Sequence, residues 1–351
     1  VYEGLHSVSA GSKEKARIPR DYASQMQVMI NTLNTMPLSK KSVSGSNGIS
    51  ILMGNSLMFQ RFPTHKSYDD PQLSNFYGMA LPFLKRGVPV NIAHIENLAY
   101  PATLKDTKVL MMTYSNMKPL GKEAHSHMAE WVKKGGIIVY NGRDDDPFQE
   151  ISEWWNQNGL NYPTASAQLF DLLGIGYAPN EGKYKVGKGI IYVFRNDPKE
   201  YVLTKDGDKE MIEIVQNLYE KEAKAGKLVF KNNYRLTRGN YELVSVLDES
   251  LNTAPYKIDG LFIDLFDPSL SVLTSKTINP GNQSFLFNIK SIKNKKHPLV
   301  LASGGRIYDE NSSKISYSFT TKGPVETTNV MRILLPKKPK THLVSDSEGN
   351  E

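Results

Sequence analysis

The amino-acid sequence predicts an α/β domain, a flavodoxin-like doubly wound parallel sheet, followed by an antiparallel β-sandwich. Two observations carry this expectation. Up to residue 226, short apolar runs alternate with amphipathic helical stretches, the pattern of a parallel sheet covered on both faces. Beyond residue 226 the helical period disappears, and short β-type runs alternate with turn signals. A chain of 351 residues is long enough for both domains.

Taken in order, residues 18–36 (IPRDYASQMQVMINTLNTM) place Tyr22, Met26, Met29, Ile30 and Leu33 at helical spacing. A Ser/Gly-rich linker covers 39–47. GISILMG (48–54) reads as a buried strand. Residues 71–87 read as a helix with Pro71 at its start, Gly87 as its stop and a kink expected at Pro82. VPVNIAHI (88–95) and KVLMMTY (108–114) are the second and third strands. The helix over 119–135 presents Leu120, Ala124, Met128, Trp131 and Val132 on one face and closes at Gly135. GIIVYNG (136–142) is the fourth strand, a helix follows near 165–173, and GIIYVF (189–194) is the fifth strand. The helix over 208–226 turns Met211, Ile214, Val215, Leu218 and Tyr219 inward. Eight β-type runs then follow, separated by RGN, DPS, NPGN, GG and KGP. The expected layout is a helical lead-in and linker (1–46), an α/β domain (47–226), a β-sandwich (227–340) and a disordered tail (341–351).

Composition narrows the chemistry. With no cysteine, the chain has no disulfide, thiolate metal site or cysteine nucleophile. His125 and His127 are two residues apart on a helix, so they point about 200° apart and cannot share a metal. No metal or other cofactor is expected. The net charge of +7 comes without a dense Lys/Arg stripe carrying interleaved aromatics, which argues against nucleic acid. The clusters KNKKH (293–297) and KKPK (337–340) read as solvated loops. No apolar run approaches ~20 residues, so no membrane span is expected.

The candidate site is GRDDDPF (142–148), which follows the fourth strand, where ligands gather in α/β sheets. Asp146-Pro147-x-Gln149 reads as a helix cap, Pro at the first helical position and a capping-box partner. Asp144 and Asp145 are freer to meet sugar hydroxyls. Trp154 is a candidate platform for a sugar ring beside the inward-facing set Phe148, Ile151 and Trp155. Arg61, after the first strand, is a candidate anchor for a carboxylate or a partner for Asp144. The carboxylate pairs Asp248-Glu249 and Asp264/Asp267 sit at turns and read as structural.

Two stretches stand out: FYGMALPFLKRGVPVNIAHIENL (76–98) runs from a helix into a strand, and LKDTKVLMMTYSNMKPLGKEAHSHMAEWVKKGGIIVYNG (104–142) shows the succession strand, loop, helix, Gly-Gly, strand. Residues 20–226 resemble the class I glutamine-amidotransferase-like domain, in particular the trimerisation domain of family 42 β-galactosidases. The resemblance implies a (β/α) barrel before this domain and a β-sandwich after it. The chain begins at Val1 rather than Met, so a processed chain or a piece cut from a longer polypeptide is expected; the resemblance implies the barrel as its partner. True amidotransferases carry a cysteine at the sharp turn after a strand. Here Tyr140-Asn141-Gly142-Arg143 offers no nucleophile, and glutaminase chemistry is excluded.

The resemblance therefore implies a non-catalytic C-terminal portion of a glycoside hydrolase, with no catalytic residue of its own. It would shape the barrel's cleft, mediate homo-oligomerisation, or do both. Two alternatives stay open: a free-standing carbohydrate-binding or assembly module, and a self-contained hydrolase using Asp144 or Asp145. A carbohydrate enzyme would suit a periplasmic or secreted address, which no residue of the chain fixes.

Overall fold

The structure is a computed structural model and describes residues 20–37, 41–59, 73–146, 149, 154–323 and 327–346. Arg61, Pro71, Pro147, Phe148 and Ile151 therefore lie outside the described residues, as does the end of the expected tail. The chain forms two compact units. One holds residues 45–232 and 249–252. The other holds the remainder, including the segment N-terminal to Gly45.

The chain opens with helix α1 (Arg20–Thr35) and strand β1 (Lys41–Val43), then runs into the α/β unit. There it forms β2 (Ile49–Met53), α2 (Ser56–Phe59), α3 (Ser74–Leu84), β3 (Val90–His94), β4 (Val109–Met112), α4 (Glu123–Lys133) and β5 (Ile137–Asn141). It continues through α5 (Ala165–Leu173), β6 (Gly182–Val186), β7 (Gly189–Phe194), α6 (Glu200–Leu203) and α7 (Lys209–Asn217). The sheet order is β3-β2-β4-β5-β7-β6, with every neighbouring pair parallel except β6 with β7.

Side-chain alternation splits this unit into two cores. Leu110, Met112, Ile138 and Tyr140 face one way and pack with Met128 and Val132 of α4 and Leu169 and Phe170 of α5. Val109, Met111, Ile137 and Val139 face the other way, toward Met79 and Phe83 of α3 and Met211 and Val215 of α7. Strands buried on both faces must be apolar along their whole length, which is why β2, β4 and β5 were readable as continuous runs. Strand β6 has no such run. Its GKYKV alternates exposed and half-buried positions at the sheet edge, and the apolar-run reading passes over it.

Several expected details differ. Pro82 lies within a continuous α3, two residues before the helix ends. Leu120 precedes α4 and is exposed, while His125 takes a fully buried place on that helix. Gly135 does end α4, with φ 125° and its N–H donating to Val132 O. Residues 227–232 belong to the α/β unit, where Leu228 and Phe230 pack on its second core.

Gly78, in α3, marks a close backbone approach. A Cβ there would lie 2.1 Å from the Pro198 carbonyl oxygen. Gly78→Ala is therefore expected to lower stability by about 3 kcal/mol, since rigid backbone cannot yield as a side chain does. The urea denaturation midpoint reads this directly. An unchanged midpoint would refute the close approach.

The second unit contains β8 (Asn233–Arg238), β9 (Tyr241–Val246), β10 (Tyr256–Asp264), β11 (Val272–Ile278), β12 (Gln283–Asn288), β13 (Leu299–Ser303), β14 (Arg306–Ser312), β15 (Tyr317–Lys322) and β16 (Met331–Leu334). Six strands form an antiparallel sheet in the order β1-β8-β9-β12-β10-β11, and β13-β16 and β14-β15 form separate antiparallel ladders.

Helix α1 packs in this second unit, and most of its apolar stripe is not the docked face, although Met29 packs on the core. Ser24, Val28 and Thr32 are buried, while Met26, Ile30 and Leu33 are exposed. Val28 joins Tyr241, Ile263, Phe285 and Phe287 in one core. The helix is pinned by Asn31 Nδ2, which donates to Ser303 O at 3.0 Å and Gly305 O at 2.9 Å. The Thr35 and Tyr241 hydroxyls meet at 3.0 Å. Hydrophobic period alone cannot see a helix docked through hydrogen bonds.

Candidate functional site

The carboxyl ends of β4, β5 and β7 carry a dense set of polar side chains, most of them buried. Asp144 follows β5 in the left-handed region at φ 61°, a conformation Asp tolerates better than most residues. This bend turns its carboxylate back over the sheet. Tyr140 O–H donates to Oδ1. Oδ2 accepts from Ser166 Oγ at 2.7 Å and from Arg195 Nη1 at 2.9 Å. Arg195 is itself fixed by Pro179 O, which accepts from its Nε and Nη2, and its guanidinium lies 5.5 Å from the Phe170 ring centroid. Burial pushes the Asp144 carboxyl above the usual range, while these three donors act in the opposite sense. The arginine that meets Asp144 is Arg195. Arg61, the candidate partner, lies outside the described residues.

Asp146 is buried, and the helix it was expected to cap falls on residues outside those described. Its carboxylate accepts from Lys118 Nζ at 2.9 and 3.1 Å and from Gln149 Nε2 at 2.6 Å. Lys118 has no exposed side-chain surface. Its third proton goes to Tyr114 O. Burial lowers the Lys118 ammonium, against the pull of Asp146.

A third group surrounds His125. Gln168 Oε1 faces its Nδ1, so the neutral ring carries its proton there. Nε2 is then free to accept from Tyr114 O–H at 2.6 Å. Burial lowers the imidazole to about 4. The rings of Tyr114, Tyr140 and Phe170 form an edge-to-face chain, with centroids 6.1 and 5.0 Å apart.

At the end of β7, Asp197 Oδ1 accepts from Ser115 Oγ and from Arg143 N at 3.3 Å. Asp197 N donates to Glu200 Oε1 at 3.1 Å. Asp197-Pro198-x-Glu200 thus makes the reciprocal half of a capping box. Glu200 Oε2 pairs with Arg143 Nη2 at 2.7 Å. Beside it lies a cleft of about 310 Å³ lined by Asn196, Glu200, Tyr201 and Thr204.

Of the remaining candidates, Asp145 is exposed. Trp154 adopts φ 66°, is half-buried and packs on the first core. Trp155 is fully buried, and its Nε1 has no hydrogen-bond partner among the described residues. In the second unit, Asp264 pairs with Lys276 at 2.7 Å. Asp267 accepts from Ser269 N at 2.9 Å, and hydrogen bonds led by Ser271 hold its carboxyl down to about 2. No group of three or more His, Cys, Asp or Glu able to hold a metal occurs among the described residues. No described helix is long and apolar enough to cross a membrane.

Sequence reasoning missed Lys118, His125, Gln168, Ser166 and Arg195. None has a local signature. Each acquires its meaning from a partner between 11 and 51 residues away.

Chemically, the arrangement binds its own charges. Asp144, Asp146 and Asp197 are spent on internal donors, and His125 has both nitrogens engaged. The groups left open to solvent are Asp145, Arg143 and the polar wall of the cleft.

No family model and no curated protein matches the chain. Among solved structures it is similar to a β-galactosidase from Bacillus circulans sp. alkalophilus, with 12% identity and a TM-score of 0.49 over 81% of this chain and 48% of that one. A GH42 β-galactosidase from G. stearothermophilus matches with 12% identity and a TM-score of 0.44, over 70% of this chain and 41% of that one. A β-galactosidase from the haloarchaeon Halorubrum lacusprofundi matches with 11% identity and a TM-score of 0.43, over 74% of this chain and 42% of that one. The chain spans about half the length of the first of these proteins.

Proposed function

We propose that the chain is a non-catalytic C-terminal portion of a glycoside-hydrolase-related protein, in which a flavodoxin-like, amidotransferase-like unit and a β-sandwich serve an N-terminal (β/α) barrel. The α/β unit shapes that barrel's carbohydrate cleft, supports its oligomerisation, or does both. The resemblance of 76–98 and 104–142 to a trimerisation domain supports this reading.

The observation that carries it is the saturation of the sheet's carboxyl edge. A general acid or base must reach substrate within hydrogen-bond distance. Asp144 instead sits under Tyr140, Ser166 and Arg195, and His125 is sealed between Tyr114 and Gln168. An active site keeps its reactive atoms exposed to substrate. This edge spends them on holding β4, β5 and β7 in place.

The test is a screen of the purified chain on aryl glycosides. No turnover above the buffer rate is expected for the wild-type chain, for Asp144→Asn or for Asp145→Asn. Turnover that either substitution abolishes would replace the scaffold reading with that of a self-contained hydrolase.

A further inference from the structure

The lysines of the edge strand β6 serve none of the roles above. Lys183 and Lys185 are exposed and two residues apart, so they share one face of the strand, about 7 Å apart along it. Their register partners on β7 are Tyr192 and Ile190. The turn after β6 adds Lys188, whose N–H donates to Lys133 O at 3.0 Å and so fixes the turn against the end of α4. These three lysines line a cleft of about 240 Å³ with Glu222, over a floor that includes Ile137 and Ile190. Glu222 accepts a hydrogen bond from Lys183, which holds its carboxyl below the usual range, and Lys185 acts in the same direction. Lys183 and Lys185 both act on the Glu222 carboxylate, and with Lys188 in the same lining the cleft carries three lysines against one acid, an excess of two positive charges.

We infer that this cleft, at the amino ends of β5 and β7, binds an anionic polysaccharide, one carrying sulfate or uronate groups. The inference rests on the carbohydrate reading above and names a ligand class for a face that reading leaves unassigned. Excess cations in a low-dielectric concavity attract an anion more strongly than the same charges on a flat surface. The aliphatic floor suits the C–H face of a sugar ring. Unpaired nucleic acid is the poorer fit, because it draws much of its affinity from stacking on open aromatic faces. The residues lining the cleft include no aromatic ring, and Tyr192 beside Lys183 already packs against Phe194 at 4.6 Å.

The experiment compares labelled dextran sulfate, unsulfated dextran and a single-stranded DNA oligonucleotide by fluorescence polarisation at low salt. The full chain is used in three forms: wild type, Lys185→Gln/Lys188→Gln, and the control Lys295→Gln/Lys296→Gln, which removes the same charge from the 293–297 loop. All four lysines are exposed, so both variants should fold, and the control pair belongs to the other unit. The wild-type chain should bind dextran sulfate and not dextran, with affinity that falls as salt rises. Lys185→Gln/Lys188→Gln should weaken binding about tenfold or more, while the control stays within about twofold of wild type.

Equal losses in the two variants, no binding of dextran sulfate, or equally tight binding of dextran would each overturn the inference. So would an oligonucleotide bound as tightly as dextran sulfate and equally weakened by Lys185→Gln/Lys188→Gln. None of these results touches the aryl glycoside screen, so this inference and the non-catalytic reading fail separately.

Discussion

Replacing Lys118 with methionine should destabilise the chain by about 3–5 kcal/mol, the usual cost of removing one partner from a buried ion pair. The lysine side chain is fully buried and that of Asp146 is 4% exposed, so water cannot take over the ammonium's role. Asp146 would keep Gln149 Nε2 but lose the positive charge that makes burial of its own charge tolerable. The Tyr114 carbonyl would lose a donor at the same time. The double variant Lys118→Met/Asp146→Asn removes both charges and should recover most of the loss, because a neutral pair in the same volume needs no compensation. Urea denaturation followed through tryptophan fluorescence measures these forms together with Asp146→Asn alone, and the double-mutant cycle of the four isolates the coupling. A cost under 1 kcal/mol for Lys118→Met would mean that the ammonium is solvated and that the carboxyl edge is open after all.

That pair also shows where sequence reading stops. Strands β2, β4 and β5 were visible because doubly buried strands need unbroken apolar runs, and the close of α4 was visible because Gly135 adopts a positive φ. Lys118, between a strand and a helix, reads like any surface lysine until Asp146 is brought beside it from 28 residues away. His125 falls on the buried face of α4 by period, yet nothing local says that Tyr114 and Gln168 will occupy both of its nitrogens. The triple aspartate was legible as a cluster, but its three members have different fates. Asp144 is covered by three donors, Asp145 is exposed, and Asp146 is paired with a buried lysine. A left-handed bend at Asp144 sends these neighbours in different directions, and backbone conformation at one residue is what pattern matching resolves least. The docked face of α1 was not legible for a related reason. The period finds the apolar stripe of Met26, Ile30 and Leu33, whereas the helix is held by Asn31, Thr35 and the buried Ser24-Val28-Thr32 line.

The second large effect is a loss of stability in acid that depends on His125. Its folded-state value of about 4 lies below the 6.5 of an unperturbed imidazole, so between those values the unfolded chain binds the extra proton. The contribution is fully present above pH 6.5 and is lost as pH falls toward 4. Its ceiling is about 3 kcal/mol, at 1.36 kcal/mol per pH unit. The local geometry accounts for the sign. A protonated ring would point Nε2–H at the Tyr114 hydroxyl, which now donates to that nitrogen and, fully buried, would have to turn its proton away without help from water. Asp144 works the other way. Its raised carboxyl favours the folded state below the unfolded value of 3.8, and that gain disappears as pH rises through the folded value. The two are separated by comparing wild type with His125→Gln across pH 4–7, because Asp144 titrates in both. The variant should be less stable at pH 7 and show a flatter dependence, so the difference between the two stability curves shrinks by about 3 kcal/mol toward pH 4. Parallel curves would show that the imidazole is reached by water and protonates in the folded chain as it does in the unfolded one.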